Sequence, residues 1–210
     1  MTVLRWGVVA AGFVSLGALT VLVRKALSRR YPAFHSDPQG RASRGIAYAL
    51  GRGLLPWEKE SARLHLGAYL GGIVYHLGVF AGFGILGALT FEVNLPPLVW
   101  TAFRLAGGFG LAAGLGLLAK RAVKPHARRL SCPDDFGANI FVDVFLAAAL
   151  AASFRSEAVP LFLGYSIFLL LYVPVGKIRH CFFFFLSRIS FGRFFGWRGA
   201  LPPPRGEVGR

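Results

Sequence analysis

Five long apolar stretches, separated by polar or basic segments, dominate the pattern of this sequence. They lie at about 6–23, 64–89, 98–119, 136–154 and 159–175. Each approaches or exceeds the length that an α-helix needs to cross the hydrocarbon core of a bilayer. We therefore predict an all-α integral membrane protein with five transmembrane helices, organised as a single domain over residues 1–210.

Composition and charge support a membrane location. The chain has 55% hydrophobic and only 16% charged residues, with a mean hydropathy of +0.55. Its net charge of +15 alone would be compatible with a nucleic-acid partner. However, the basic residues are divided among segments between the apolar spans, so they form no single patch with interleaved aromatics. We therefore predict a lipid bilayer, and no nucleic acid, as a partner.

The distribution of basic residues predicts the orientation. Nine lie in the connector 24–63, five in the loop 120–135 and seven in the tail from residue 176, against Arg5 and Arg155 on the other side. Because positive charge accumulates in the cytoplasm, we predict the N-terminus outside and the C-terminus inside. The connector is broken by Pro and Gly, with a short surface helix around 46–50. The tail 176–210 is basic and aromatic, which is typical of an interfacial or partner-facing segment.

Two histidines, His65 and His76, lie in the second span, SARLHLGAYLGGIVYHLGVFAGFGILGAL. On an uninterrupted helix, eleven residues would place them within about 20° of one another and about 16 Å apart along the axis. Gly72 falls between them on the same stripe, where the lack of a side chain would let a flat group approach the backbone. The pair indicates a binding site, since polar groups in an apolar span are costly; hydrogen bonds to neighbouring helices are the alternative.

His180 follows the fifth span and, in this topology, lies at the same cytoplasmic level as His65. Two imidazoles at one depth are suited to be the axial ligands of a low-spin b-type haem, which needs no CxxCH motif. Arg63, Lys177 and Arg179 are near these histidines in sequence and would neutralise the haem propionates. An ordinary interfacial histidine is the alternative for His180.

Two charged residues fall inside predicted spans. Arg104 lies in the outer half of span three, where a haem propionate or a quinone carbonyl would accept its hydrogen bonds; backbone carbonyls or Asp143 are the alternative. Asp143, in span four, belongs either to a proton path or to a simple ion pair. His35 and His126 lie in basic loops and are expected to be solvated.

Three segments carry a family resemblance: LHLGAYLGGIVYHLG in span two, RRLSCPDDFGANIFVD before span four, and YVPVGKIRH at the end of span five. They resemble the gamma subunit of respiratory nitrate reductase and its relatives, which include the membrane cytochromes of sulfite-reduction-associated complexes and of membrane heterodisulfide reductases. The resemblance covers the whole five-span chain, through moderately specific motifs. It implies a multi-pass protein of a bacterial or archaeal inner membrane, related to dihaem b-type cytochromes that exchange electrons between quinol and a cytoplasmic iron–sulfur subunit.

The same resemblance assigns individual residues. It implies that His65 and His180 hold the haem nearer the cytoplasm, and that His76 matches one ligand of an outer haem. The two histidines of this helix are usually one residue closer together in the family. Its other outer ligand would lie near Phe162, where LFLGYSIFLLLYV contains no histidine. We therefore predict one haem b, with two as the alternative, and a menaquinone or ubiquinone bound by His76, Gly72 and Arg104.

The predicted function is a haem-containing electron-transfer subunit of a respiratory oxidoreductase complex, which connects membrane quinone to a cytoplasmic iron–sulfur or flavin subunit. The alternative is an anchor without a cofactor, which recruits a cytoplasmic enzyme through its basic loops and aromatic tail. A transporter is disfavoured, because the sequence has neither inverted repeats nor broken helices in paired positions.

Overall fold

The computed structural model describes residues 1–28 and 37–202, which form helices and no β-strand. His35 and the end of the predicted tail, 203–210, lie outside the described residues. The helices are α1 (Thr2–Leu27), α2 (Ala42–Leu50), α3 (Glu60–Leu64), α4 (Leu66–Thr90), α5 (Pro97–Val123), α6 (Pro125–Arg129), α7 (Pro133–Phe154), α8 (Val159–Tyr172) and α9 (His180–Trp197).

Four of these helices, α1, α4, α5 and α7, are long and apolar enough to cross a membrane. There are five spans if Ser156–Tyr172 and Lys177–Trp197 together form one broken span. The all-helical, multi-pass character is confirmed, whereas the exact count and the orientation stay predictions. The 14 residues of α8 cover only about 21 Å of a hydrocarbon core of about 30 Å. This helix ends at Tyr172, before the predicted end of span five at 175. It stops there because Pro174 cannot donate the backbone hydrogen bond of a continuing helix.

The chain divides into two compact units, which we describe separately. The first comprises Met1–Leu22 and Gly67–Arg179, and the second comprises Val23–Leu66 and His180–Arg210. The single domain predicted from the sequence therefore stays a prediction.

Aromatic and aliphatic side chains of α4, α7 and α8 form the core of the first unit. Phe145 on α7 is fully buried, with its ring centroid 5.5 Å from that of Phe162 on α8. At another contact, a Cβ on either Gly78 or Gly110 would lie 2.5 Å from the Cα of the other glycine. Thus α4 and α5 touch backbone to backbone, as small residues allow in membrane helix pairs.

Polar contacts join the helix ends of the first unit. Arg5, near the start of α1, forms an ion pair with Glu92 and donates from Nε to the carbonyl of Leu89 at 3.1 Å. The start of α1 and the end of α4 therefore lie at one end of the unit. At the start of α7, Cys132 is the N-cap residue, and its backbone N–H donates to Asp135 Oδ2 at 2.9 Å. The cap lies in the polar segment before the predicted span, so α7 begins three residues earlier than the predicted start at 136.

The second unit is built on antiparallel packing of α2 against α9. A Cβ at Gly45 would lie 2.6 Å from the Cα of Gly196, so the two helices are in backbone contact. The backbone N–H groups of Gln39 and Gly40 both donate to the carbonyl of Trp197 at 3.0 Å. They satisfy a carbonyl at the C-terminal end of α9, where intrahelical partners are missing. The short helix predicted around 46–50 is thus confirmed, and it begins at Ala42.

Arg188 of α9 closes the other end of this helix pair. Its Nε donates to the carbonyl of Ala49 at 2.8 Å, and its Nη2 donates to that of Gly53 at 3.1 Å. A guanidinium at the C-terminal end of α2 also faces the negative end of the helix dipole. Arg188 is therefore a structural residue of the second unit.

Candidate functional site

His65 and His180 lie at helix boundaries of the second unit. His65 caps the C-terminal end of α3 and immediately precedes α4, whereas His180 is the first residue of α9. Both side chains are exposed. The two predicted haem ligands thus share one compact unit, and neither is buried by the described chain.

The helix that was predicted to run without a break through His65 and His76 is interrupted at His65. The backbone there has φ −126° and ψ 43°, outside the helical region, and its N–H bonds to the carbonyl of Ala62 at 3.3 Å in a tight turn. The angle and rise expected for a continuous helix therefore do not apply to this pair. The prediction that the second span is one uninterrupted helix was therefore wrong at His65.

His76 lies within α4 with an exposed side chain. Its Nδ1 is 2.6 Å from the carbonyl oxygen of Gly72, one turn earlier. Because a carbonyl only accepts, Nδ1 carries the proton, and Nε2 is the nitrogen directed away from this contact. A Cβ at Gly72 would meet no atom within 4 Å, so the helix flank beside the imidazole is open. A fixed tautomer beside an open flank is the arrangement that a ligand-binding imidazole requires.

Arg104 has partners within the protein. Its Nη2 donates to the carbonyl of Ser153, its Nε lies 3.3 Å from Ser153 Oγ, and its Cζ is 4.4 Å from the centroid of the Phe154 ring. These contacts correspond to the alternative in which backbone carbonyls satisfy the guanidinium. Arg104 thus joins α5 to the end of α7, which explains its presence in an apolar helix without a bound cofactor.

Lys177 is part of a charged cluster at the other end of the first unit. Its Nζ lies 2.8 Å from Asp135 Oδ1, and Arg121 Nη1 lies 3.4 Å from the same oxygen. The carboxylate of Asp135 therefore pairs with both cations. Arg63, in contrast, is exposed in the last turn of α3 next to His65. Three cations were proposed for haem propionates. Arg63 and the exposed Arg179, which directly precedes His180, adjoin candidate ligands in sequence, whereas Lys177 already pairs with Asp135.

An apolar groove of about 320 Å³ lies between α1, α4 and α8. Its lining includes Val8, Phe13, Phe83, Gly87, Thr90 and Leu170. Thr90 is only 7% exposed, and its hydroxyl has no hydrogen-bond partner among the described residues. Gly87 lies eleven residues after His76, so on the continuous helix α4 the two share a face. The groove and the imidazole are thus on the same side of this helix.

A second polar cluster surrounds Asp143 inside the first unit. The Asn139 side-chain amide donates to Asp143 Oδ2 at 2.9 Å and to the carbonyl of Gly114 at 3.4 Å. It also lies 3.2 Å from the hydroxyl oxygen of Tyr75, which donates to the Asn139 carbonyl at 3.2 Å. The cluster therefore connects α4, α5 and α7.

Asn139, Tyr75 and Thr90 were not identified from the sequence. The four-residue spacing of Asp135, Asn139 and Asp143 marks one face of α7 and would have indicated the cluster. No local pattern distinguishes Tyr75 or Thr90 from other residues of an apolar helix, since their significance depends on what other helices place beside them.

Comparisons with protein-family models, with curated proteins and with solved structures find no match to this chain. The resemblance to the nitrate reductase gamma subunit therefore stays a prediction, and the function is argued from the residues themselves.

Proposed function

We propose that this chain is the haem b-containing membrane subunit of a respiratory oxidoreductase complex. It transfers electrons between membrane menaquinone or ubiquinone and a cytoplasmic iron–sulfur or flavin subunit, in the inner membrane of a bacterium or archaeon. The observation that supports this proposal is the occurrence of two exposed histidines, His65 and His180, at helix boundaries of one compact unit.

The donor set fits a haem b, since two neutral imidazole nitrogens are sufficient as axial ligands and no covalent attachment is needed. When bound, the haem supplies one-electron transfer. His65 and His180 would hold the iron, and the exposed Arg63 would face a propionate. Lys177 is a weaker candidate for that role because Asp135 already pairs with it.

The quinone is proposed to bind on the His76 face of α4. Three observations support this position: the Nδ1–H tautomer of His76, the open flank at Gly72, and the apolar groove further along the same face. In this tautomer Nε2 is an acceptor, so it can receive a hydrogen bond from a quinol hydroxyl, and the groove is suited to an apolar tail. Arg104 would contribute only by positioning α7, given its contacts with Ser153.

A reduced-minus-oxidised visible spectrum of the purified full-length chain, with haem quantified per protein, tests this proposal. We expect one haem, and loss of its α-band in both His65→Ala and His180→Ala. His76→Ala should keep the band and slow its reduction by a quinol analogue. The matched control is His126→Ala, which removes an exposed histidine of α6 and should change neither property. Absence of haem from the wild-type protein would refute the proposal, whereas two haems would refute the single-haem assignment.

A cofactor-free anchor is the second candidate, favoured by the surface of α9. Phe182, Phe184 and Phe185 are 42%, 40% and 58% exposed, and Arg193 is exposed on the same helix. Such a basic and aromatic surface is typical of a membrane interface or a protein partner.

Removing the aromatic tail by truncation after Ser187 would not test the anchor alone. The truncation would also remove Arg188, whose guanidinium caps the C-terminal end of α2. The double substitution Phe184→Ser and Phe185→Ser leaves Arg188 in place. If the chain is an anchor, this variant should insert normally and release its soluble partner, and the wild-type spectrum should lack an α-band. Full recovery of the partner with the variant would exclude this surface as the docking site.

A further inference from the structure

Asp143 occupies the middle of a helix that is long enough to cross a membrane. Helix α7 has 22 residues, or about 33 Å, and Asp143 lies about 15 Å from its start. The residue is 5% exposed, so the carboxyl group is inside the helix bundle. An ionisable side chain at this depth is costly and normally has a specific role.

One oxygen of this carboxyl group lacks a partner. Oδ2 accepts a hydrogen bond from Asn139, whereas Oδ1 has none from the described part of the chain. Tyr75 of α4 is the ionisable side chain that lies close enough to interact with the carboxyl group. Oδ1 instead lies against Gly114 of α5, where a Cβ would collide with it. The missing side chain at Gly114 therefore provides the space that the carboxyl group occupies.

No positive charge compensates Asp143 in the described ranges 1–28 and 37–202. Arg104 of α5 bonds to Ser153, whereas Arg121 and Lys177 pair with Asp135. The other ionisable side chains on the helices around it are the following: Tyr69, Tyr75 and His76 on α4, Lys120 on α5, Asp134 on α7, and Tyr165 and Tyr172 on α8. A buried carboxylate without a counter-ion is strongly disfavoured relative to its neutral form. Binding a proton removes that cost.

A polar stripe connects this position to one end of the helix. Asp135, Asn139 and Asp143 are spaced by four residues, so they follow one face of α7 at intervals of about 6 Å. Asp135, at the start, has a side chain that is 18% exposed within the charged cluster with Lys177. Beyond Asp143, the same face continues with Ala147 and Ala151, which offer no polar side chain. The stripe therefore reaches the centre of the bundle from the Lys177 end alone.

We propose that Asp143 is a reversible proton-binding site, which exchanges protons with water at the Asp135 end of α7 through Asn139. The step is a simple protonation, in which the carboxylate oxygen Oδ1 accepts one proton and no electron moves. It is independent of haem binding, so it stands or falls separately from the proposed function.

Infrared difference spectroscopy of the full chain in lipid nanodiscs tests this site. We expect a protonated-carboxyl C=O band at neutral pH that shifts in D₂O and on ¹³C-aspartate labelling. Asp143→Asn should remove the band, and the matched control Glu157→Gln, at an exposed carboxyl, should retain it. Asn139→Leu should keep the band but slow its deuterium shift several-fold, because the side chain next to Asp143 on the stripe is lost.

Three results would overturn the proposal: a fully ionised carboxyl at neutral pH, a band that persists in Asp143→Asn, or a band that shifts with added sodium ions in place of protons. If Asp143→Asn does not fold, Asp143→Glu decides the assignment, because its protonated-carboxyl band should no longer shift on ¹³C-aspartate labelling. If the deuterium shift in Asn139→Leu occurs at the wild-type rate, the stripe is not the route by which protons reach Asp143.

Discussion

Arg104 and Ser153 join α5 to α7 at one end of the first unit. The guanidinium donates to the Ser153 carbonyl and stands over the Phe154 ring. The last carbonyls of a helix lack intrahelical partners and carry the negative end of its dipole, so a cation here stabilises the end of α7. This pairing accounts for a half-buried cation, for which the sequence predicted a propionate or a quinone carbonyl, with backbone carbonyls or Asp143 as the alternative.

Arg104→Gln should therefore destabilise the protein. Hydrogen bonds to a charged group contribute about 1.5–3 kcal/mol, and the substitution removes the charge and the cation–π contact as well. Thermal unfolding in detergent should show a lower midpoint for this variant. Arg155→Gln, at an exposed arginine just after α7, is the control and should unfold like the wild type. A variant with an unchanged midpoint but weakened quinol oxidation would instead favour a direct role in quinone binding.

Gly45→Ala should unfold the second unit selectively. A Cβ at this position meets the backbone of α9, which cannot move aside, and overpacking of this kind costs about 1–3 kcal/mol. We expect faster proteolysis of the segment 39–60 in the variant. Gly12→Ala is the matched control, because a Cβ there has no neighbour within 4 Å. Equal proteolysis of the two variants would contradict the close packing of α2 on α9.

Hydrophobic patterning predicted the existence and approximate limits of the long helices, because a bilayer requires long apolar stretches. It placed the start of span four at 136, whereas α7 begins at Pro133, because Cys132 and Asp135 supply a cap within the preceding polar segment. The break at His65 was missed because the apolar stretch that follows it begins at once with Leu66, so His65 was included at the start of the span. Hydropathy is averaged over many residues, so it cannot identify a single residue with non-helical backbone angles.

The site was harder to predict than the fold. His76 and Gly72 are one turn apart, so helical periodicity was sufficient to bring them together. The partners of Arg104 and Lys177 are 49 and 42 residues away in sequence, at Ser153 and Asp135. Their pairing depends on how the helices pack, which no local pattern encodes.

The orientation can be checked by cysteine labelling. We expect Val93→Cys, in the exposed link after α4, to react with a membrane-impermeant maleimide in intact cells. Arg129→Cys, in the basic segment after α5, should react only after permeabilisation. The background should carry Cys132→Ser and Cys181→Ser, since both natural cysteines are exposed and serine retains the cap at Cys132. The reverse labelling pattern would place His65 and His180 on the outer side and contradict electron exchange with a cytoplasmic subunit.

Thr90→Val should affect the stability of the protein and its affinity for quinone differently. The buried hydroxyl has no partner among the described residues, so replacing it with a methyl group of similar size should leave the unfolding midpoint unchanged or raise it. Thr90 lies about 21 Å along α4 from His76, so it can bond a quinone carbonyl only if the headgroup, and not the tail, occupies the groove. In that case the variant should lose about 1 kcal/mol of binding free energy, or about fivefold in affinity.

Titration of wild type and Thr90→Val with a short-chain quinone analogue, followed by ligand-induced stabilisation, measures this effect. Thr101→Val is the control, because that hydroxyl is exposed and already donates to the Pro97 carbonyl at 3.0 Å. Equal affinity of all three proteins would show that the quinone headgroup does not lie in the groove. A loss of affinity in His76→Ala together with an unaffected Thr90→Val would confine the headgroup to the neighbourhood of the imidazole.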